Sequence, residues 1–249
     1  MSDFDGDLRF QLALNEHMGS QIFWRGYYSE PQLQFLAHML ESDHSFIDVG
    51  ANHGEFTVFA AKRLPRGRVV AFEPTSRLFE RLTANVAHNA FENVVLKQQG
   101  LSAEAGIATI YSSTHKYADG TFNSGLPSLF PEANRANVVE TIELTTLDQA
   151  VEEVGLSRLD IIKMDIEGAE MAALQGAAKT LSAFRPTIIL EVNQSTCMSA
   201  GYTMQALLGS IEPYGYKFFR IDSSAASFAL SPLSKANLNS FQNVACIIS

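Results

Sequence analysis

Twelve residues, FIDVGANHGEFT at 46–57, constrain the fold of this chain more tightly than any other stretch. An apolar run ends in Asp48, two glycines follow four residues apart, and an apolar helical spacing (Phe56, Ala60, Leu64) begins at once. The pattern predicts a buried strand, a tight turn and a helix start. Glycines let the backbone approach a ligand closely, and the open N–H groups of a new helix face it. The competing reading is a structural glycine turn in some other α/β protein.

The same alternation continues along the chain. Apolar strands are predicted at 68–72, 93–97, 159–164 and 187–192, with further strands at 216–221 and 243–248. Helical stripes fall between them: Leu78, Leu82 and Val86; residues 147–154; Met171, Leu174, Ala178 and Leu181; and residues 204–211. Strands alternating with helices predict βαβ units, a parallel sheet and right-handed crossovers. Residues 1–44 read as an N-terminal cap on a domain spanning 45–249. Within the cap, 8–14 reads as a short strand and 15–22 as a short helix. Pro31 opens a second helix with Leu33, Leu36 and Leu40 on one face. The aromatic group at 22–28 either lines a site mouth or anchors the cap. An insert at about 105–145 interrupts the rhythm, with strands at 106–112 and 138–144 around a polar loop at 113–137.

Composition narrows the function classes. With 46% hydrophobic and 18% charged residues the chain is ordinary globular material. A net charge of −9 without any Lys/Arg cluster argues against a nucleic-acid partner, because phosphate binding needs a basic stripe. The acidic first residues are unlike a signal peptide, and no window reaches the length of a membrane span. Cys197 and Cys246, far apart in unlike contexts, read as reduced thiols. Together these features predict a cytoplasmic protein without a membrane partner; the oligomeric state is unreadable.

The ligand class turns on loop spacing. A dinucleotide loop reads G-x-G-x-x-G, whereas Gly50 and Gly54 stand as G-x-x-x-G with a carboxylate, Asp48, just ahead. A carboxylate suits an ammonium better than a phosphate, which points to the methionine end of S-adenosylmethionine held around Gly50, Ala51, Asn52, Gly54 and Phe56. Glu73, followed by Pro74, lies about as far beyond the loop as the acid that grips ribose hydroxyls in nucleotide folds. A methyl transfer then needs an aligned acceptor and a group to take its proton. Asp165, in the Asp165-Ile166-Glu167-Gly168 turn, is the first catalytic candidate and Glu191 the second. His53 and His115 are weaker candidates for the base, since a lone His is more often a packing or surface residue. The loop at 113–137, with His115, Tyr117, Asn123, Ser124 and Ser128, either recognises the acceptor or is a surface insert. The acids could hold Mg²⁺, yet no tight spacing compels a metal and none is predicted.

The segments FIDVGANHGEFT (46–57), VVAFEPTSRLFERLTANV (69–86), TIELTTLD (141–148) and LDIIKMDIEGAEMAALQGAAKTLSAFRPTIILEVN (159–193) resemble an FkbM-type methyltransferase. The resemblance covers roughly residues 30–193. It implies a class I, Rossmann-like three-layer fold with a seven-stranded sheet, mostly parallel, whose last strand is antiparallel. It also implies O-methylation of hydroxyls on small molecules or saccharides. Carried over by position, Asp48, Gly50, Asn52 and Gly54 would hold the methionine part, Glu73 the ribose, and Asp165 and Glu167 the K-x-D-x-E-G site. The chain departs from the family twice. Ala103 stands where an acid is common, which leaves Gln99 or the backbone near Leu101 to contact adenine; Asn193 stands where a His is frequent. A nicotinamide-dependent oxidoreductase and a catalytically silent binding module of the same fold stay open.

Overall fold

The computed structural model describes residues 1–112, 127–131, 137–224 and 227–248. After helices α1 (His17–Arg25) and α2 (Glu30–Met39) come β1 (Ser45–Val49), α3 (Glu55–Arg63), β2 (Arg68–Phe72), α4 (Ser76–His88) and β3 (Val94–Lys97). The short β4 (Gly100–Leu101), β5 (Gly106–Ser112) and β6 (Asn137–Thr145) follow, then α5 (Leu147–Val154) and β7 (Ile161–Met164). Next are α6 (Glu170–Gln175), α7 (Ala178–Phe184), β8 (Thr187–Asn193), α8 (Gln194–Ser199) and α9 (Met204–Ile211). The chain closes with β9 (Tyr216–Ser223), β10 (Phe228–Pro232) and β11 (Phe241–Ile248).

The main sheet has eight strands in the order β10-β9-β11-β8-β7-β1-β2-β3. The five from β8 to β3 are mutually parallel, and β11 runs antiparallel between β8 and β9. The architecture is the expected Rossmann-like one with the antiparallel strand in place. One strand more than the expected seven is present: β10 pairs antiparallel with β9 at the sheet edge. Pro232 closes it, a residue that an edge strand tolerates because no neighbour needs its N–H.

The sheet separates two apolar layers. Ile47, Val49, Val70, Phe72, Ile162, Met164, Ile188 and Leu190 face one side, where they meet Leu147, Leu174, Leu181 and Leu207 of α5, α6, α7 and α9. Phe46, Val69, Ala71, Ile161 and Ile189 face the other, against Phe59 of α3, Leu82 of α4, and Leu33 and Leu36 of α2. Alternation with a period of two along each strand therefore feeds both layers, and the central strands are apolar on both faces because both are covered. Phe4, Phe10 and Ile22 belong to the second layer, so the N-terminal segment shares a core with α3. Among the described residues no helix is long and apolar enough to cross a membrane. Cys197 and Cys246 are both buried and unbridged.

Two local expectations are corrected. Residues 8–14 form no strand: the N–H of Gln11 donates to Asn85 Oδ1 at 2.6 Å and that of Arg9 to Asn89 Oδ1 at 2.8 Å. The one stripe through Met171 and Leu181 is two helices, because Gly176 passes so close to the Ser102 carbonyl that any side chain there would clash. Asp148 then caps the second helix by accepting the N–H groups of Lys179 (3.0 Å) and Thr180 (2.8 Å). Residues 106–112 and 137–145 are strands as expected, but with β4 they form a separate sheet, β4-β6-β5.

Candidate active site

Between β2 on one side and β7 on the other, β1 marks the point where the chain reverses its direction across the sheet. A cleft opens beyond the carboxyl ends of such strands. One cavity there takes in about 900 Å³, space open to solvent included, and residues from several loops wall it. Gly50, Ala51, Asn52, Glu55 and Phe56 come from the glycine turn and the first turn of α3. Glu73, Pro74, Gln99 and Leu101 follow β2 and β3, and Asp165, Ile166 and Glu167 follow β7. Ile110, Ile142 and Leu144 of the small sheet close the end nearest Pro74 and Leu101. The described residues on the insert's inner edge, Pro127 and Leu129, also border this cavity.

The glycine turn is fixed by its own backbone. Gly50 and Ala51 donate their N–H groups to the Phe72 carbonyl at 3.0 and 2.8 Å. Gly50 has φ +77°, and a Cβ on it would strike the Asp165 carbonyl. Glycine is therefore required there on both counts. Glu73, 4% exposed, holds the turn from the other side: Oε2 accepts the N–H of Asn52 at 2.9 Å, and Oε1 accepts the N–H and hydroxyl of Thr75 at 3.0 and 2.6 Å. Burial pushes its carboxyl up from the ordinary range despite those bonds.

Asp48 stands behind this wall. It is fully buried and does not border the cavity; Oδ2 accepts the Thr57 hydroxyl at 2.6 Å and Oδ1 lies 3.8 Å from Lys163 Nζ. Lys163 is the residue that sequence reasoning missed. Its ammonium donates to the Gly50 carbonyl at 3.0 Å, lies 3.7 Å from Asp165 Oδ2, and sits 5.2 Å from the centre of the Phe56 ring. Burial opposes its charge, but Asp165, Asp48, Glu191 and Glu55 outweigh burial and hold the pKa above the usual lysine value. One cation thus ties the loop, the strand acid and the Asp165 turn together. The K-x-D spacing was the available signal, since period two places Lys163 and Asp165 on one face.

The Asp165 turn is set by Glu170, a second residue without an expected role. Its carboxylate accepts the N–H groups of Ile166 at 2.9 Å and Gly168 at 3.0 Å, and the Tyr202 hydroxyl at 3.0 Å. Ser128 donates its hydroxyl to the Glu167 carbonyl at 2.8 Å, joining the insert to the same turn.

A second cleft, about 1200 Å³, adjoins the first. Asp165, Glu167, Phe56, Lys163, Met18, Tyr28 and Ser29 border both, while Glu191, Asn193, Asn243 and Phe241 border only the second. Among the aromatics at 22–28, Tyr28 reaches the clefts. Tyr27 anchors the segment, donating to Asp5 at 2.8 Å, and Trp24 is 78% exposed. Carboxylate oxygens of Asp165, Glu167 and Glu191 lie within 4.8 Å of one another. That spacing is one a hard cation could bridge, although Lys163 already supplies a positive charge beside Asp165. Burial, then the charges of Asp165, Glu167 and Glu170, hold Glu191 well above the ordinary carboxylate range. Asn193 caps α8 by accepting the Ser195 N–H at 3.0 Å.

His53 faces away from the clefts. Its ring meets Phe10 edge-on at 5.4 Å, Nδ1 is 2.7 Å from Asn52 Oδ1, and burial pushes its pKa down to about 4. A neutral packed imidazole there has no reach to an acceptor. His115, with Tyr117, Asn123 and Ser124, lies outside the described residues.

Comparison with known proteins fits this geometry. The model of the methyltransferase FkbM domain matches residues 48–218. The antimetabolite synthetase AmbE of Pseudomonas aeruginosa is 29% identical over 83% of this chain, which spans 11% of that protein. Methyltransferase sdnD of Sordaria araneosa is 29% identical over 59% of this chain and 70% of its own length. The 31-O-demethyl-FK506 methyltransferase FkbM of Streptomyces tacrolimicus is 29% identical over 52% of this chain and 57% of its own. Among solved structures, methyltransferase FkbM from Methylobacillus flagellatus superposes with a TM-score of 0.53 at 15% identity, covering 88% of this chain and 48% of that one. With the domain model spanning more than half of its residues, the chain belongs to the FkbM methyltransferase family, whose methyl donor is S-adenosylmethionine.

Proposed function

We propose that this chain transfers a methyl group from S-adenosylmethionine to a hydroxyl oxygen of a small molecule or saccharide. The observation that carries the reading is the wall shared by the two clefts, where the Asp165 carboxylate borders both. The donor fits the first cleft on two grounds: the glycine turn at Gly50, Ala51 and Asn52 lines it with backbone, and a buried carboxylate, Glu73, lines it where a ribose diol can donate. The apolar slot of Pro74, Leu101, Ile110, Ile142 and Leu144 suits the flat face of adenine. The sulfonium of the donor supplies an already activated methyl carbon. The protein's share is to align the acceptor oxygen and receive its proton.

Asp165 accepts the hydroxyl hydrogen bond and orients the oxygen in this reading. Glu191, raised in pKa by burial and its acidic neighbours, is the second proton acceptor within reach. A hydroxyl acceptor is supported by a relative whose name specifies an oxygen, the 31-O-demethyl-FK506 methyltransferase.

Release of S-adenosylhomocysteine, measured across a panel of hydroxylated compounds and their O-blocked counterparts, tests this. Turnover should need the free hydroxyl, and Asp165→Ala should lower kcat by roughly 10²-fold or more. Transfer that persists on O-blocked compounds, or normal turnover by Asp165→Ala, would contradict it.

A further inference from the structure

The second cleft is where an acceptor lies in this reading, and its wall is acidic. Among the described residues that border it, Asp165, Glu167 and Glu191 are acids and Lys163 is the one cation. Lys163 is already held by the Gly50 carbonyl, Asp48 and Asp165. An acceptor bearing a carboxylate or phosphate would meet those acids with no cation left to receive it. Part of the wall is a tile on the antiparallel pair β8 and β11, where Glu191 stands opposite Asn243 and Asn193 opposite Phe241. Period two puts all four on one face, and they border this cleft but not the donor cavity. Glu191 makes no hydrogen bond and no ion pair among the described residues. Burial, then the charges of Asp165, Glu167 and Glu170, disfavour its ionised form, and a cation placed beside it offsets that cost.

We propose that the acceptor is an amino alcohol: Asp165 takes the hydroxyl that is methylated, and Glu191 takes a protonated amine on the neighbouring carbon. The inference rests on the hydroxyl-methylation reading and names its substrate class. Carboxylate oxygens of Asp165 and Glu191 lie within 4.8 Å of each other. An oxygen and a nitrogen on adjacent carbons can therefore each sit one hydrogen-bond length from its own carboxylate. The amides of Asn193 and Asn243 flank the amine position, and the half-exposed Phe241 ring offers a surface to the carbon skeleton that carries both groups. With Glu191 so engaged, Asp165 receives the hydroxyl proton as the new O–CH₃ bond forms and the donor's S–CH₃ bond breaks.

Matched probes that differ only beside the free hydroxyl decide it: trans-2-aminocyclohexanol, trans-1,2-cyclohexanediol and trans-2-hydroxycyclohexanecarboxylate. Measured as release of S-adenosylhomocysteine, kcat/KM should favour the amine over the diol by roughly 10- to 100-fold, the worth of one charged hydrogen bond, with the carboxylate poorest. Glu191→Gln should remove the preference, the loss falling mainly on KM for the amine. Glu191→Asp, which keeps the charge at shorter reach, should show an intermediate preference and serves if the glutamine variant does not fold. The proposal is overturned if the diol or the carboxylate is used as well as the amine, or if no probe turns over. It is overturned equally if Glu191→Gln or Glu191→Asp keeps the full preference, or if a chelator abolishes turnover and Mg²⁺ restores it, which would give the carboxylates to a metal. Methyl found on nitrogen in the product overturns the hydroxyl reading itself, a distinguishable failure.

Discussion

Lys163 shows how much one side chain can carry. Its ammonium is held by a carbonyl from the glycine turn and by carboxylates from β1 and from the turn after β7. Removing one partner of a buried pair leaves the other charge uncompensated, at a cost of roughly 3–5 kcal/mol. Lys163→Met should therefore lower unfolding stability by about that amount in urea titration and weaken donor binding as the turn loosens. A methionine variant as stable as the wild type, with unchanged donor affinity, would remove the ammonium from the account. The residue was legible as part of K-x-D, but its role was not, because Gly50 and Asp48 lie more than a hundred positions away and only the parallel register of β1 with β7 brings them together. The full burial of Asp48 behind the cavity wall was unreadable for the same reason. A carboxylate at a strand end reads as available, and the sequence carries no sign that a lysine from the neighbouring strand has claimed it.

At the scale of elements, period and turn chemistry made the parallel strands and most helices readable, since each buries a face with its own spacing. Segments stabilised by distant side chains were not readable. Asn85 is fully buried and serves the N-terminal segment as a strand edge would, accepting from the Gln11 N–H and donating to the Gln11 carbonyl at 3.4 Å. It also donates to the His53 carbonyl at 2.7 Å, which joins that segment to the glycine turn. Asn85→Ala should cost about 1–3 kcal/mol for the polar groups it orphans, and hydrogen exchange at Gln11 should rise before exchange in β1 does. Unchanged protection at Gln11 would mean that the segment is held by its apolar contacts alone. Strand β10 escaped for a different reason: an edge strand with one partner needs little periodicity, and Phe228-Ala-Leu-Ser-Pro offers little.

Across the whole molecule, strand order places the chemistry. Because β1 lies between β2 and β7, the loops that follow all three open on one cleft, and residues 50–52, 55–56, 73–74 and 165–167 meet there although they are scattered through the chain. That convergence was foreseeable from the strand ends. The roof over the Pro74 and Leu101 end was not, because it comes from a small sheet whose inward residues, Ile110, Ile142 and Leu144, read only as two strands flanking a loop. The central claim is that the convergence binds the methyl donor. Calorimetric titration of the wild-type chain and of Glu73→Ala with S-adenosylhomocysteine tests it most directly. The account predicts one site per chain in the wild type and an affinity at least roughly tenfold weaker in the variant. No heat of binding at millimolar ligand, or equal affinity in both proteins, would contradict it.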